Sequence, residues 1–584
     1  SQYRHCEETG RIDNFRRAAG KKDIPFQGIY FNDSDVYKWL EAAAWTLATD
    51  HDPALARMVD AVIAEIADAQ QPDGYLNTYF MFDKASERWS NLRDMHELYC
   101  AGHLIQAAIA HHRATGSDRL LAVACRLADH ICDTFGPEEE GKQPGTDGHE
   151  EIEMALVELA RETREARYRH QAQYFLDVRG RGLVGGKPYH QDHRPFRELD
   201  RMTGHAVRAV YLNAGATDIY AETGEPALRL ALDRLWNNMT TRQMYVSGGI
   251  GSRYDGEAFG KDHELPNERA YTETCAAIGS VMWNWRMLAL NGDARYADIL
   301  ETTLYNAVLC GLSHDGQSYF YQNPLADDGT HRRQAWFGCA CCPPNVARLL
   351  ASLPGYFYSL SEDDNIWVHL YAQGSARIEL VDGRIVALRQ QTRYPWNGEV
   401  TVEVQSEGTF GLLLRLPGWC EAGLELEING RPFAGDLTAG TYAEIRRTWR
   451  TGDTVRLKLP MPVRRIECHP YAIENVDRAA LMRGPLLYCM EQADNDGCDL
   501  RDLVLPAGAE LSSVFQPDLL DGVVVLRGRA EVEAPDEGWR DRLYRTVPVE
   551  RASPSRQQAT VTAIPYYAWA NREPGAMQVW LRTK

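Results

Sequence analysis

The chain has 584 residues, which is too many for one hydrophobic core, so we expect two or three domains. Its formal net charge of −19 argues against a nucleic-acid partner. We find no apolar run of about 18 residues and no signal peptide in the polar residues 1–20, so we predict a protein without a membrane partner. Thirteen cysteines without paired spacing favour a reducing compartment, and we therefore predict a cytoplasmic location.

The first 360 residues or so have a helical pattern. Residues 1–30 carry few apolar positions, and we interpret them as an arm that lies on another domain. A repeated unit follows, in which a loop with glycine or proline precedes an apolar-striped helix of about 12–20 residues. Asp33 or Ser34 can cap the first helix, and Pro53 opens the second. We place further helices near 94–114, 118–134, 149–163, 168–177, 200–223, 226–240, 268–290, 294–311 and 345–360.

These helices make roughly six hairpins, and long helical repeats that close on themselves form an α/α toroid with a natural central cleft. An open solenoid is the alternative. After about Leu360 short alternating segments separated by turn residues predict antiparallel β structure, most simply a sandwich. A second β segment begins near residue 467, and the acidic, turn-rich residues 491–550 are interpreted as holding long loops.

Three cysteines stand within four residues, at Cys339, Cys341 and Cys342. Two adjacent cysteines rarely bond to each other because the ring would be strained, and a soft metal ion suits the cluster better. Pro343 and Pro344 predict the first turn of a helix. Cys341 and Cys342 would then lie at a helix N-terminus, where the helix dipole favours thiolates.

A second half of a metal site is predicted in the stretch 271–276. Glu273 and Cys275 are two residues apart, so they can converge on one ion only in the irregular first turn of a helix. Together with Cys341 and Cys342 they form a set of three thiols and one carboxylate that is acceptable for zinc. Four protein ligands usually indicate a closed structural site, so a structural and a catalytic Zn2+ both stay open at this point.

Other polar residues are weaker candidates for chemistry. Glu257 follows a glycine-rich loop without the Lys-Ser/Thr ending of a phosphate-binding loop, and it could be a general acid/base if the loop faces a cleft. A solvated surface position is the commoner role for such a residue. His96, His149 and His205 each stand near a predicted helix start, so in a toroid they would line the mouth of the cavity, although each alone is more often structural.

The motifs YTETCA, GEAF, GCACCPPN, GHEEIE, GHAVRA and RGPLLY resemble glycoside hydrolase family 127, the β-L-arabinofuranosidase family. The resemblance covers nearly the whole chain. It implies an (α/α)6 barrel catalytic domain over residues 1–358, followed by two β-sandwich domains over 359–466 and 467–584. It also implies a retaining exo-hydrolase that releases L-arabinose from β-L-arabinofuranosides through a zinc-bound cysteine nucleophile, and a homodimer that forms through the β domains.

The resemblance also assigns roles to individual residues. Cys341 becomes the nucleophile and Glu257 the general acid/base, while Cys339 receives no role. The implied zinc ligands are Glu273, Cys275, Cys341 and Cys342. On shorter motif matches, the implied sugar contacts are His96, His149, His205, Glu301 and Tyr321.

The implied mechanism is chemically consistent. Zinc would keep Cys341 as a thiolate at neutral pH, and Glu257 would first protonate the leaving oxygen and then deprotonate water, so that two inversions give retention. Two alternatives remain open. One is a related furanosidase that acts on another plant-pectin sugar, and the other is a non-catalytic sugar-binding protein with a structural zinc.

Overall fold

The computed structural model describes residues 1–534, 536–547 and 555–583. Its first part is helical, and none of the helices in these ranges is long and apolar enough to cross a membrane. Helices α1 to α13 span Gln2–Glu8, Arg11–Ala18, Asp33–Thr49, Pro53–Ala69, Glu97–Thr115, Arg119–Thr134, Ile152–Thr163, Ala166–Val178, Ala206–Thr223, Pro226–Asn238, Thr274–Asn291, Ala294–Thr302 and Cys342–Ser352.

Six helices form an inner ring. Helices α3, α5, α7, α9, α11 and α13 contact one another in this order, and α13 returns to α3. The helices between them in sequence pack outside: α4, for example, buries only one face, with Val59, Val62 and Ile66, whereas α9 is buried along nearly its whole length. A one-sided apolar stripe belongs to an outer helix and an all-round apolar surface to an inner one. This closed double layer is the arrangement expected of the predicted α/α toroid.

The N-terminal residues are part of the helical domain, so the interpretation of residues 1–30 as an arm on another domain is wrong. Helices α1 and α2 pack against α3 and α4. Arg11 pairs with Asp35 at 2.7 Å and donates to the carbonyl of Gly338 at 3.0 Å. Gln2 donates to the carbonyl of Pro343 at 2.9 Å. The segment therefore braces the cysteine-rich loop, and two of its polar residues, Arg11 and Asn14, are buried.

The rest of the chain is rich in β structure. Strands β1 to β20 span Ala326–Asp327, Tyr358–Leu360, Asn365–Val368, Gly374–Glu379, Ile385–Thr392, Glu399–Val404, Gly408–Leu416, Glu425–Ile428, Arg431–Pro432, Thr441–Trp449, Thr454–Lys458, Val463–Ile466, Arg478–Arg483, Leu486–Glu491, Leu503–Val504, Leu511–Gln516, Val523–Glu533, Arg556–Pro565, Met577–Gln578 and Leu581–Arg582. A helical domain followed by two β-rich domains confirms the fold predicted from the sequence.

The middle domain has two sheets, ordered β10-β7-β3-β2 and β4-β5-β6-β11-β8-β9, which share one core around Phe410 and Trp449. The C-terminal domain is built on one ten-stranded sheet. Its strands β15, β16 and β17 occupy part of the region that the sequence analysis assigned to long loops, and residues 535 and 548–550 of that region lie outside the described ranges. Val523–Glu533 begins with four apolar residues and then has a charged residue at every second position, and its second half pairs with β18.

The C-terminal domain packs directly on the helical domain. Phe320 and Cys310 of the helical domain share a buried cluster with Ile564 and Trp569, and β1 pairs with β19. The chain between α12 and α13 therefore runs along the C-terminal domain before it reaches the cysteines. This support positions the loop that carries Tyr321 and Cys341.

Candidate active site

A cavity of about 290 Å³ opens where the N-terminal ends of the inner helices meet. His96 precedes α5, His205 caps α9, Glu273 precedes α11 and Cys341 precedes α13. Because the dipole of each helix is positive at its N-terminus, the ring concentrates several positive ends on one point and favours anionic groups there. The cavity is lined by Tyr30, Phe31, Asp94, His96, Tyr99, His149, Tyr189, His205, Val207, Arg208, Tyr211, Glu257, Glu273, Cys275, Tyr321, Cys339 and Cys341.

Three thiols and one carboxylate converge at the floor of this cavity, in agreement with the prediction from spacing. Sγ of Cys342 lies 3.4 Å from Sγ of Cys275 and 3.7 Å from Sγ of Cys341. Oε1 of Glu273 lies 3.7 Å from Sγ of Cys341 and 3.8 Å from Sγ of Cys342. All four ligand atoms lie within 4.8 Å of one another, so the group can hold a metal ion.

The separations also fit a tetrahedral site. Metal–sulfur bonds of about 2.3 Å at tetrahedral angles would place two sulfurs about 3.8 Å apart, and a sulfur and an oxygen about 3.6 Å apart. The observed distances are close to both values. The second carboxylate oxygen of Glu273 is buried and has no hydrogen-bond partner in the described part of the chain, as expected for an oxygen placed for a cation rather than for a protein donor.

The acidity of the cluster gives a second reason for a cation. Burial, followed by the neighbouring Cys341, raises the pKa of Glu273 well above its usual value, and burial raises the pKa of Cys342. Burial also raises the pKa of Cys275, but hydrogen bonds from Cys341 and Cys342 outweigh it and lower this pKa to about 6. Several anions cannot share this buried space without a compensating positive charge.

An irregular backbone explains how Glu273 and Cys275 reach the same point. Thr272 has a φ of 40° and Glu273 is extended, with a bridge to Gln322, before α11 begins. The side-chain amide of Asn323 donates to the carbonyl of Thr272 at 2.9 Å and holds this bend. The prediction that the pair converges in an irregular helix start is confirmed.

Cys341 differs from the other cysteines of the cluster because it is only half-buried. Cys275 and Cys342 are buried. Sγ of Cys341 lines the cavity and lies 3.2 Å from the hydroxyl of Tyr321. Cys339 also lines the cavity, but it is outside the four-atom group, and a hydrogen bond with Cys341 together with burial raises its pKa. The open sulfur of the cluster is therefore that of Cys341.

Glu257 lies beside the cluster and is held by His205. Nδ1 of His205 accepts the N–H of Arg208 at 3.4 Å, so the ring proton is on Nε2, which donates to Oε2 of Glu257 at 2.8 Å. Oxygens of Glu257 and Glu273 lie within 4.8 Å of each other. Burial raises the pKa of Glu257, but hydrogen bonds from His205 and Tyr271 outweigh it and leave the pKa lowered.

The three histidines singled out in the sequence lie side by side in the wall. The ring of His149 is 5.3 Å from that of His96 and 5.5 Å from that of His205. Burial lowers the pKa of all three, that of His96 to about 3, so they are neutral. Nδ1 of His96 donates to the carbonyl of Asp94 at 2.6 Å, and Nδ1 of His149 donates to that of Glu150 at 3.1 Å. Each leaves Nε2 as an acceptor.

Glu301 is not in this site, so its predicted sugar contact is wrong. It is buried at the end of α12 and lies 2.6 Å from the guanidinium of Arg415 in the middle domain. It also accepts hydrogen bonds from the hydroxyl of Tyr394 at 2.6 Å and from Nε1 of Trp419 at 3.2 Å. The carboxylate joins two domains and has no free oxygen for a ligand.

Sequence reasoning missed Arg208, which lines the cavity three residues after His205 in the same first turn of α9. Only 5% of it is exposed, its Nε and Nη1 have no hydrogen-bond partner within the described residues, and its guanidinium stands 4.3 Å above the ring of Tyr189. Its spacing from His205 in the GHAVRA motif was the available signal, because residues three apart share a helix face.

Comparison with known proteins agrees with this geometry. The sequence model of the β-L-arabinofuranosidase catalytic domain of glycoside hydrolase family 127 matches residues 1–355. The chain belongs to this family. The family 127 middle-domain and C-terminal-domain models match residues 365–461 and 463–582. The protein is thus a glycoside hydrolase with a carbohydrate substrate.

Relatives of this family 127 enzyme match along almost the whole chain. A non-reducing end β-L-arabinofuranosidase of Bifidobacterium longum is 39% identical, over 98% of this chain and 92% of the relative. The crystal structure of a family 127 β-L-arabinofuranosidase from Geobacillus stearothermophilus is 46% identical with a TM-score of 0.92, over 99% of this chain and 94% of that one. A family 127 β-arabinofuranosidase of known structure is 38% identical, also with a TM-score of 0.92, over 100% and 93% of the two chains.

Proposed function

We propose that this enzyme is a retaining exo-acting β-L-arabinofuranosidase that releases L-arabinose from β-L-arabinofuranosides. The observation that carries the proposal is the half-buried sulfur of Cys341, which belongs to a cluster of side chains able to hold a metal ion and also lines a cavity beside Glu257. The substrate class is supported by the names of the Bifidobacterium and Geobacillus relatives. A cavity of about 290 Å³ accommodates one sugar ring and suits cleavage at a chain end.

Zinc is the proposed metal, because three thiols with one carboxylate form a set that this ion accepts. Glu273, Cys275, Cys341 and Cys342 would hold it. When bound, zinc supplies the positive charge that keeps the Cys341 thiol deprotonated at neutral pH. Cys275 and Cys342 are buried, whereas Cys341 is half-buried, so Cys341 carries the most accessible of the three ligand sulfurs.

The proposed reaction has two steps. In the first, Sγ of Cys341 bonds to the anomeric carbon while the bond from that carbon to the leaving oxygen breaks, and Glu257 gives its proton to that oxygen. In the second, Glu257 takes a proton from water, the water oxygen bonds to the anomeric carbon, and the carbon–sulfur bond breaks to restore the thiolate. Each step inverts the anomeric carbon, so the configuration is retained.

The protonation of Glu257 depends on its surroundings. In the free enzyme, hydrogen bonds to His205 and Tyr271 keep its pKa low. A bound sugar would exclude water from the cavity, and desolvation raises a carboxyl pKa. We propose that this shift prepares the acid form for the first step, and that His205 orients the carboxylate for the second.

The walls of the cavity offer complementary contacts for sugar hydroxyls. Neutral His96 and His149 present ring nitrogens that accept hydrogen bonds, whereas Arg208 presents only donors. The Tyr321 hydroxyl lies next to the Cys341 sulfur, where it can contact both the nucleophile and the sugar. We propose His96, His149, His205 and Tyr321 as sugar-binding residues.

The homodimer and the cytoplasmic location remain predictions. Light scattering of the purified full chain would give a mass of about twice 65.9 kDa for the predicted homodimer.

Covalent labelling tests the proposed nucleophile. An electrophilic L-arabinofuranose analogue, such as a cyclophellitol-type epoxide, should modify Cys341 in the zinc-loaded enzyme, and excess L-arabinose should protect it. Peptide mass spectrometry locates the adduct, and Cys339, which lines the same cavity, is the internal control. A label on Glu257 with Cys341 unmodified would instead indicate a carboxylate nucleophile and a structural zinc.

Turnover measurements separate the remaining functions. The enzyme should hydrolyse an aryl β-L-arabinofuranoside with retention, which proton NMR of the first product anomer detects. Binding of the sugar without any turnover would favour a non-catalytic sugar-binding protein. Faster turnover of another aryl furanoside would favour the related furanosidase.

A further inference from the structure

A distal cavity of about 730 Å³ lies at the opposite end of the helical ring from the candidate active site. Its walls come from the C-terminal halves of all six inner helices and from the turn at 354–356 that follows α13. The candidate active site is formed at the N-terminal ends of the same helices. The two cavities therefore open on opposite faces of the helical domain.

A fully buried arginine separates the two cavities. Arg348 donates to Glu41 at 2.9 Å and to Gln106 at 2.6 Å, and both of these residues line the distal cavity. On its other side Arg348 donates to the hydroxyl of Tyr211 at 3.1 Å, and Tyr211 lines the candidate active site. A ligand in the distal cavity would therefore be held apart from Cys341.

Three aromatic side chains line the distal cavity and are only partly buried. They are Trp45 on α3, Trp285 on α11 and Tyr356 after α13. The ring of Trp285 lies 5.1 Å from that of Tyr356 and 5.5 Å from that of His369, so packing fixes its orientation. Accessible aromatic rings in a concave site offer flat apolar surfaces to a ligand.

Polar groups in the same cavity lack partners. The indole N–H groups of Trp45 and Trp285 and the hydroxyl of Tyr356 make no hydrogen bond to any described residue. Glu41 is only 8% exposed; its Oε2 accepts from Arg348, whereas its Oε1 has no donor within the described ranges. A deeply buried carboxylate oxygen without a partner is costly, and a ligand hydroxyl would satisfy it.

The charged side chains of the distal cavity neutralise one another. Three carboxylates and three guanidiniums line it, on Glu41, Glu158, Asp218, Arg113, Arg161 and Arg286. Arg286 pairs with Glu158 and Asp218, Arg161 also pairs with Asp218, and Arg113 pairs with a neighbouring glutamate at 2.7 Å. Among the described lining residues, no guanidinium is left unpaired for a phosphate or a carboxylate, and no excess of acidic side chains attracts a cation. A neutral ligand fits these charges best.

The helix ends add hydrogen-bond acceptors. The last carbonyl groups of an α-helix have no partner inside the helix, and Thr49, Leu290 and Ser352 bring the last turns of α3, α11 and α13 to the cavity. The negative ends of the helix dipoles further disfavour an anion. A sugar donates hydrogen bonds from several hydroxyls and has an apolar ring face, so it matches both the acceptors and the aromatic rings.

We propose that the distal cavity is a second, non-catalytic binding site for a neutral saccharide. The candidate active site takes one sugar ring in about 290 Å³, so a volume of about 730 Å³ has room for two rings. The residues of the proposed reaction, Cys341 and Glu257, line the other cavity, so a sugar bound here is not cleaved. Binding at this site goes beyond the proposed function and can be measured without turnover.

Ligand-observed NMR titration of the full chain with xylobiose and with lactose, two neutral disaccharides without an arabinofuranosyl end, tests the proposal. Trp45→Ala should raise the Kd about threefold to tenfold, the size of one lost aromatic contact. Tyr356→Phe removes only a hydroxyl and should raise the Kd by a similar factor, the size of one hydrogen bond. Trp539→Ala is the matched control, because Trp539 is an exposed tryptophan that does not line this cavity.

Several outcomes would overturn the proposal. One is the absence of binding by both disaccharides, and another is an unchanged Kd in Trp45→Ala and Tyr356→Phe. Loss of binding in His149→Ala but not in Trp45→Ala would place the sugar in the candidate active site. Choline and inorganic phosphate are the charged probes, and Trp45-dependent binding of either one without sugar binding would assign the cavity to an ion.

Steady-state kinetics provide the second readout. Trp45→Ala should leave kcat/KM for an aryl β-L-arabinofuranoside unchanged, because Trp45 lies at the far end of the ring from Cys341. A fall in kcat/KM together with the melting temperature would show that Trp45 acts through the fold, and an unchanged Kd in Tyr356→Phe would then refute the site. An enzyme without any turnover would refute the proposed function, whereas the binding measurements would still decide this inference.

Discussion

Replacement of Glu301 by glutamine distinguishes a structural carboxylate from a sugar-binding one. Arg415 is fully buried, with Glu301 at 2.6 Å and Asp298 at 2.5 Å. Breaking a buried ion pair costs about 3–5 kcal/mol because a charge is left uncompensated. Asp298 remains near Arg415, and glutamine can still accept one hydrogen bond. We therefore expect Glu301→Gln to lower the free energy of unfolding by about 3 kcal/mol, the lower end of that range. The melting temperature should then fall by about 5–10 °C.

Thermal unfolding and steady-state kinetics of Glu301→Gln provide the assay. KM for an aryl β-L-arabinofuranoside, measured well below the new melting temperature, should stay within about twofold of the original. Glu425→Gln is the matched control, because its pair with Lys458 at 2.8 Å is exposed and should contribute less than about 1 kcal/mol. Adding Arg415→Met to Glu301→Gln should cost less than the sum of the two single changes, because both charges of one pair are then removed together, and Asp298, the charged group that loses a partner, also accepts the N–H of Gly418. A much higher KM with an unchanged melting temperature would refute this assignment and restore the sugar contact.

Three further predictions concern the cavity. The enzyme should bind one zinc ion per chain, and Cys342→Ser should lose this zinc, as measured by elemental analysis. If the double variant Cys275→Ala, Cys342→Ala still binds one zinc ion per chain, the proposed ligands are wrong. Glu257→Gln should nearly abolish turnover of substrates with poor leaving groups. The first step should survive for an aryl substrate with a good leaving group, and added azide should rescue the second step. Equal losses of turnover on both kinds of substrate would indicate that Glu257 positions the sugar instead. Arg208→Met should raise KM roughly tenfold to a hundredfold, because charge-assisted hydrogen bonds to the sugar are lost. The melting temperature should not fall, because the change removes a buried charge that has no ion-pair partner among the described residues. An unchanged KM would exclude Arg208 from sugar binding.

The sequence by itself determined the local features of this protein. Apolar stripes and turn residues predicted most helices of the inner and outer layers within a few residues, because amphipathic periodicity depends on neighbours along the chain. The two prolines after Cys342 predicted the start of α13 for the same reason. The pairing of Glu273 with Cys275 followed from their spacing and from the geometry of a helix start.

Only the tertiary structure decided which of these local features meet. Nothing in their own segment distinguishes Glu257 from Glu301, yet packing placed the first beside His205 and the cysteine cluster and the second against Arg415 in another domain. Arg208 and the N-terminal helices were missed because their burial depends on elements far away in sequence. The role of a charged side chain depends on the charges, solvent and donors around it, and these are set by the closure of the helical ring and the docking of the β domains rather than by local pattern.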